Sequence, residues 1–172
     1  TNYLRRLVIV YRKFLIFFFM FAFSETHSIE IGTRVPDVVA YTHDGKQFDF
    51  KETITRNLSL VFFYPKAHTP GCTLQACSLR DSYNDLVSKG LSIYGVSSDT
   101  IKSQSSFKDK HSLPYTLISD EGGFVAKAFG KSKWSRQAYL FKDGILVWKD
   151  TKGATTKQAK EVIKALISLD LY

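Results

Sequence analysis

The chain of 172 residues has two cysteines, Cys72 and Cys77, and both fall in one short stretch, TPGCTLQACSLRD. They follow a Pro-Gly pair at what reads as the start of a helix. A thiol placed there meets unpaired N–H groups and the positive end of a helix dipole, which favours the nucleophilic thiolate. Thr69 brings a hydroxyl three residues before the Cys72 sulfur, and Gly71 lets the backbone come close to whatever Cys72 attacks. On one intact helix, five residues separate the cysteines by about 7.5 Å of rise and about 140° of rotation. Their Cα atoms then lie roughly 8 to 9 Å apart, beyond the limit of about 7 Å for a disulfide. A bond between them therefore requires the first turns to unwind. That makes a poor structural staple but suits a transient bond in a catalytic cycle. Spacing alone leaves a second reading open, in which both are small buried apolar residues. Zinc chemistry is disfavoured, because His68 is near but His111 is the only other plausible ligand, and four correctly spaced ligands are lacking. The C-x-x-C of a disulfide exchanger is absent too, and no metal or cofactor is expected.

Such a pair needs a scaffold, and the pattern beyond Ile31 alternates. VPDVVAYTHDGKQFDF reads as two short strands around Asp44-Gly45, a hairpin at the N-terminal end. LSLVFFYP is a continuous apolar run, as in a central strand buried on both faces. A helix is expected over 73–89, stopped by Gly90. The strand LSIYGVSS comes next, then a helix capped by Asp99 or Thr100 and running to Lys110. YTLISD reads as a strand and GFVAKAFG as a short helix closed by Gly130. RQAYLFKDGILVWKD gives two strands joined at Lys142-Asp143-Gly144. The last helix puts Ala159, Val162, Ile163, Leu166 and Ile167 on one face. The resulting order, ββ-β-α-β-α-β-α-β-β-α, predicts one α/β domain around a central mixed sheet flanked by helices. Trp134 and Trp148 read as packing residues.

Composition agrees with a single globular domain: hydrophobic content is 44% and charged content 23%. The net charge of +8 divides unevenly, because Arg5, Arg6, Arg12 and Lys13 stand in residues 1–24 without an acidic group. The rest is interspersed and forms no basic stripe, which argues against nucleic-acid binding. Basic residues followed by the 10-residue apolar run from Phe14 to Phe23, with small Ala22 and Ser24, read as a signal peptide over 1–24. The alternative is an N-terminal membrane anchor, which must hold Arg12 and Lys13 inside the span. The domain is therefore expected over 25–172, with no stable membrane association once the leader is removed. The leader points to a secretory route, a periplasm or a plastid reached through it.

FFYPKAHTPGCTLQACSLRD resembles the active-site segment of the peroxiredoxins, and Cys-x4-Cys resembles the bacterioferritin-comigratory-protein group, called peroxiredoxin Q in plants. IGTRVPDVVAYTHDGKQFDF, YGVSSDT, LPYTLISDEGGFVAKAFG and SRQAYLFKDGILVW are similar to further sections of that family. The likeness runs from about Ile31 to the C-terminus. It implies a thioredoxin-like fold and thiol-dependent reduction of hydrogen peroxide or organic hydroperoxides, an antioxidant activity. By the same resemblance Cys72 is the peroxidatic cysteine and Cys77 the resolving one. Thr69 hydrogen-bonds the peroxide, Pro70 shields the site with Gly71 beside it, and Arg136 holds the thiolate. An arginine suits that place because it is always cationic and offers several donors.

The implied cycle passes through a Cys72 sulfenic acid and a Cys72–Cys77 disulfide, which thioredoxin or a similar dithiol resets. A monomer is the family habit when both cysteines share a helix. Ala138 departs from the pattern, because many members carry Ser or Thr two residues after the arginine. A peroxide sensor that relays a disulfide to a client protein uses the same thiols and stays as the alternative. A non-catalytic module predicts loss of Cys72, Thr69 or Arg136, and all three are present.

Overall fold

The computed structural model describes residues 28–132 and 134–171, so the leader expected over 1–24 lies outside the described residues. Thirteen elements follow in order: β1 (Val39–Thr42), β2 (Gln47–Asp49), α1 (Phe50–Ile54), β3 (Leu58–Phe63), α2 (Pro70–Asp81), α3 (Tyr83–Ser88), β4 (Leu91–Ser97), α4 (Ile101–Lys110), β5 (Thr116–Ser119), α5 (Phe124–Ala128), β6 (Gln137–Lys142), β7 (Ile145–Asp150) and α6 (Gln158–Ser168). The seven strands form one sheet in the order β2-β1-β5-β4-β3-β6-β7. β3, β4 and β5 run parallel, whereas β1 and β2, β1 and β5, β3 and β6, and β6 and β7 pair antiparallel.

Strand β3 shows why the sheet is covered on both sides, since all six of its residues are buried. Side chains alternate across a strand, so Leu58, Leu60 and Phe62 enter one cluster while Val61 and Phe63 enter another. The first cluster is closed by Leu79 of α2, Leu86 of α3, Phe107 of α4 and Val162 of α6. The second is closed by Phe50 and Ile54 of α1 and Val125 of α5. Each large apolar side chain withdrawn from water in this way contributes about 1.5 to 3 kcal/mol. Among the described residues no helix is long and apolar enough to cross a membrane.

Four local features differ from the sequence reading. Helix α1 is additional: the Asp49 carboxylate accepts the Glu52 N–H at 3.0 Å, and this Asp-x-x-Glu cap starts the chain turning straight out of β2. The helix expected over 73–89 begins earlier, at Pro70, because proline tolerates a first helical position that needs no N–H. It is also two helices, broken at Ser82 (φ −104°, ψ 11°). On α6 the buried stripe takes in Ala165 and turns away from Ile167, which is 56% exposed. Trp148 packs against the core, but Trp134 is 67% exposed and is not a core residue.

Candidate active site

Topology brings the two halves of the site together. β3 and β6 are antiparallel neighbours with Phe63 opposite Gln137, so the loop leaving β3 and the residue entering β6 meet at the same end of these two interior strands. The loop carries α2 and its cysteines, and the residue entering β6 is Arg136. Backbone and side-chain bonds fix the loop: the Tyr64 N–H donates to the Val96 carbonyl at 3.1 Å, and the Ala67 N–H to Asp99 Oδ2 at 2.7 Å. Ser97 Oγ donates to the same carboxylate oxygen at 2.6 Å. Tyr64 itself is fully buried and donates its hydroxyl to Gln104 Oε1. Burial raises its phenol far above the ordinary range, so it stays a neutral donor.

Cys72 lies in the first turn of α2, after Thr69 at the cap, Pro70 and Gly71. The first intrahelical bond runs from the Thr73 N–H to the Thr69 carbonyl at 2.9 Å, which leaves the Gly71 and Cys72 N–H groups without an intrahelical acceptor. The thiol is buried in the same cluster as Tyr64, Ala67 and Ala138. Arg136 Nη2 reaches the sulfur at 3.6 Å, and Nη1 donates to Gln75 Oε1 at 2.8 Å. A permanent cation with a donor on the sulfur can steady a thiolate and the oxygen it displaces from an O–O bond.

Two glycines make room for that guanidinium. A Cβ on Gly71 would stand 3.1 Å from Arg136 Nη2, so its bare backbone accommodates the arginine as well as any incoming molecule. Gly153, at φ +67°, lies against the arginine's stem, where a Cβ would fall 2.5 Å from Arg136 Cβ. The Asp150 carboxylate folds this turn by accepting the N–H groups of Lys152, Gly153 and Ala154 at 2.9, 3.1 and 3.0 Å.

The other expected residues are placed as follows. Cys77 lies on the same unbroken α2, half-buried, and both cysteines are free thiols. Thr69 donates its hydroxyl to the Lys66 carbonyl at 2.8 Å rather than to the sulfur, which leaves its lone pairs available. Pro70 is exposed at the helix start, and Ala138 is fully buried in the same core cluster as Cys72 with no hydroxyl to offer. His68 is an exposed loop residue at φ 63°, and His68 and His111 flank the Phe107 ring at 5.2 and 5.1 Å. Among the described residues no three His, Cys, Asp or Glu side chains gather to hold a metal ion.

Gln75, Gly153 and Gln158 were not read from the sequence, and Asp99 was read only as a candidate helix cap and not as a residue that fixes the site loop. Gln75 had a signal, since it stands one turn after Cys72 on the same helix face. The others come from distant segments and join the site only through the sheet order.

The AhpC/TSA family model matches residues 31–149. Peroxiredoxin bcp1 of Schizosaccharomyces pombe is 39% identical over 149 residues, 86% of this chain and 74% of that protein. Peroxiredoxin Bcp of Escherichia coli is 38% identical over 119 residues, 68% of this chain and 74% of its own length. The crystal structure of peroxidoxin BcpB from Mycobacterium tuberculosis superposes with a TM-score of 0.75 at 25% identity, covering 82% of this chain and 98% of that one. The seven-stranded mixed sheet is thus of the thioredoxin-like type. With a buried thiol contacted by an arginine at the ends of its interior strands β3 and β6, the chain belongs to the AhpC/TSA family, in the bacterioferritin-comigratory-protein group of peroxiredoxins, and is a thiol peroxidase.

Proposed function

We propose that this peroxidase reduces hydrogen peroxide and organic hydroperoxides through Cys72, with Cys77 resolving the oxidised sulfur inside the same chain. The observation that carries the reading is the 3.6 Å contact between Arg136 Nη2 and Cys72 Sγ at the N-terminus of a helix that also carries Cys77. The Cys72 thiolate attacks the terminal peroxide oxygen, the O–O bond breaks, and an S–O bond forms. The leaving alkoxide or hydroxide takes a proton and departs as alcohol or water. Sulfur is thereby oxidised by two electrons to the sulfenic acid. Thr69 accepts the peroxide O–H, and Arg136 stabilises the negative charge as it moves onto the departing oxygen.

Helix α2 then unwinds and the Cys77 thiolate attacks the Cys72 sulfur. The S–S bond forms, the S–O bond breaks, and hydroxide leaves as water. A dithiol such as thioredoxin reduces this disulfide by exchange and is itself oxidised. Both cysteines lie on one helix, so the cycle needs no second subunit.

The test is peroxide-dependent NADPH oxidation by the purified chain with thioredoxin and thioredoxin reductase. Wild type is expected to turn over on both hydrogen peroxide and a hydroperoxide such as cumene hydroperoxide, whereas Cys72→Ser does not. If thioredoxin cannot reset an oxidised wild type, and a stable mixed disulfide with one client protein accumulates instead, the sensor-relay reading replaces this one.

A further inference from the structure

The hydrogen bonds behind Arg136 run in one direction only. A guanidinium has donors and no acceptor, so Nη1 obliges Gln75 to present Oε1, at 2.8 Å. The Gln75 amide must then aim its Nε2 away, and it donates to Gln158 Oε1 on α6 at 2.8 Å. That fixes Gln158 in turn. Its own Nε2 points on, buried, with no partner among the described residues. Turning the Gln158 amide over would set two NH2 groups face to face. The unpaired donor is therefore the far end of a chain whose polarity starts at the arginine.

Both glutamines are fully buried, and Gln158 stands on the same face of α6 as the apolar Ala159, Val162 and Leu166. A residue that only filled space there would be better apolar, because an amide with an unsatisfied donor is costly to bury. We propose that Gln158 is a positioning residue for the peroxidase reaction. It holds the Gln75 amide so that Arg136 stays on the Cys72 sulfur, and the C-terminal helix thereby helps to assemble the reduced site. The inference rests on the reading of Cys72 and Arg136 as the reacting pair. It also makes the chain of bonds specific to the helical form of α2, since unwinding withdraws Gln75 from both partners.

The test uses the full chain carrying Gln158→Met, Gln75→Met and both together. Three rates are measured: Cys72 oxidation by hydrogen peroxide in a Cys77→Ser background, Cys72 alkylation by iodoacetamide, and disulfide formation with Cys77 intact. Gln158→Met is expected to slow oxidation and alkylation roughly 3- to 10-fold, and to add nothing once Gln75→Met is present, as coupled residues do. Disulfide formation is expected not to slow. Unchanged oxidation with faster disulfide formation would mean that Gln158 merely ties α6 to α2, and would overturn the proposal. So would an equal loss in the Gln75→Met background. Should Gln158→Met fail to fold, Gln158→Ser removes the acceptor with a smaller polar side chain and is read in the same way. Alkylation needs no peroxide, so a failed peroxidase reading and a failed role for Gln158 remain distinguishable.

Discussion

The chemistry of single residues turns on the guanidinium of Arg136, which splits its two amino groups between Gln75 Oε1 and Cys72 Sγ. Lysine keeps the charge but offers a single point donor in place of the fork. Arg136→Lys is expected to slow Cys72 oxidation about 10²-fold, the scale of losing one transition-state donor, measured by stopped-flow oxidation of the reduced protein. Gly153 supplies a second test. Alanine there must adopt φ +67° and place Cβ 2.5 Å from Arg136 Cβ. The backbone alone costs about 1 to 2 kcal/mol, and the overlap must also push the arginine off the sulfur. Gly90, at φ +78° with nothing within 4 Å, is the control. Gly90→Ala should lose a similar backbone cost in a urea titration yet oxidise at the wild-type rate, whereas Gly153→Ala should lose both. At this scale the sequence was legible where the chemistry is local. That Cys72 stands at a helix start follows from TPGCTLQAC, whereas the extra turn that begins at Pro70 and takes in Cys72 does not. Gln158 and Gly153 were not legible, because nothing near them in the chain says which arginine they will touch.

Helix α2 is the element the proposed cycle must open, and two hydrogen bonds hold it to the rest of the fold. The Tyr115 hydroxyl donates to the Ala76 carbonyl at 2.8 Å, between the two cysteines, and Arg80 Nη1 donates to the His111 carbonyl at 2.8 Å just beyond them. Tyr115 is buried, and burial pushes its phenol well above the usual range, so the donor survives to alkaline pH. Tyr115→Phe removes one buried bond while keeping the ring, at a cost of about 1 kcal/mol. It is expected to speed disulfide formation after a single peroxide pulse and to leave the preceding oxidation rate unchanged. Slower disulfide formation would mean that Tyr115 guides the unwound chain rather than restraining it. Elements were mostly legible from periodicity: the fully buried run in β3, the Thr100 cap of α4 and the Asp143-Gly144 turn stand where the sequence put them. The break at Ser82 was not, because the residues of 73–89 keep a helical pattern across it. Helix α1 was missed although its Asp-x-x-Glu cap was in view, since five residues are too few for a period to register.

The whole molecule balances a site at one end of its interior strands against ionisable groups buried elsewhere. Lys131 is the clearest of these: it is buried, its Nζ lies 4.7 Å from the centre of the Phe63 ring, and it donates to the Ser132 carbonyl at 2.8 Å. Burial lowers its ammonium from 10.5 to about 8, against the opposing pull of Asp120. Below pH 8 both the folded and the unfolded chain carry this proton. Between about 8 and 10.5 only the unfolded chain does. The unfolded state then binds more protons at this site, so the contribution of Lys131 to stability rises with pH across that window. Urea midpoints at pH 7.5 and about 9.5 should show this rise in wild type and lose it in Lys131→Met. A rise of equal size in the variant would assign it to other groups. Fold class and layer order were legible at this scale, because strand and helix runs alternate. The strand order that sets Arg136 beside Cys72 was not, since it depends on which edges pair. The central claim is that Cys72 reacts and Cys77 resolves within one chain. The most direct measurement is rapid-quench mass spectrometry of the reduced protein after one equivalent of hydrogen peroxide. Wild type is expected to give a Cys72–Cys77 disulfide, Cys77→Ser a dimedone-trappable sulfenic acid on Cys72, and Cys72→Ser no oxidation. Oxidation of Cys77 in Cys72→Ser at the wild-type rate would contradict that claim.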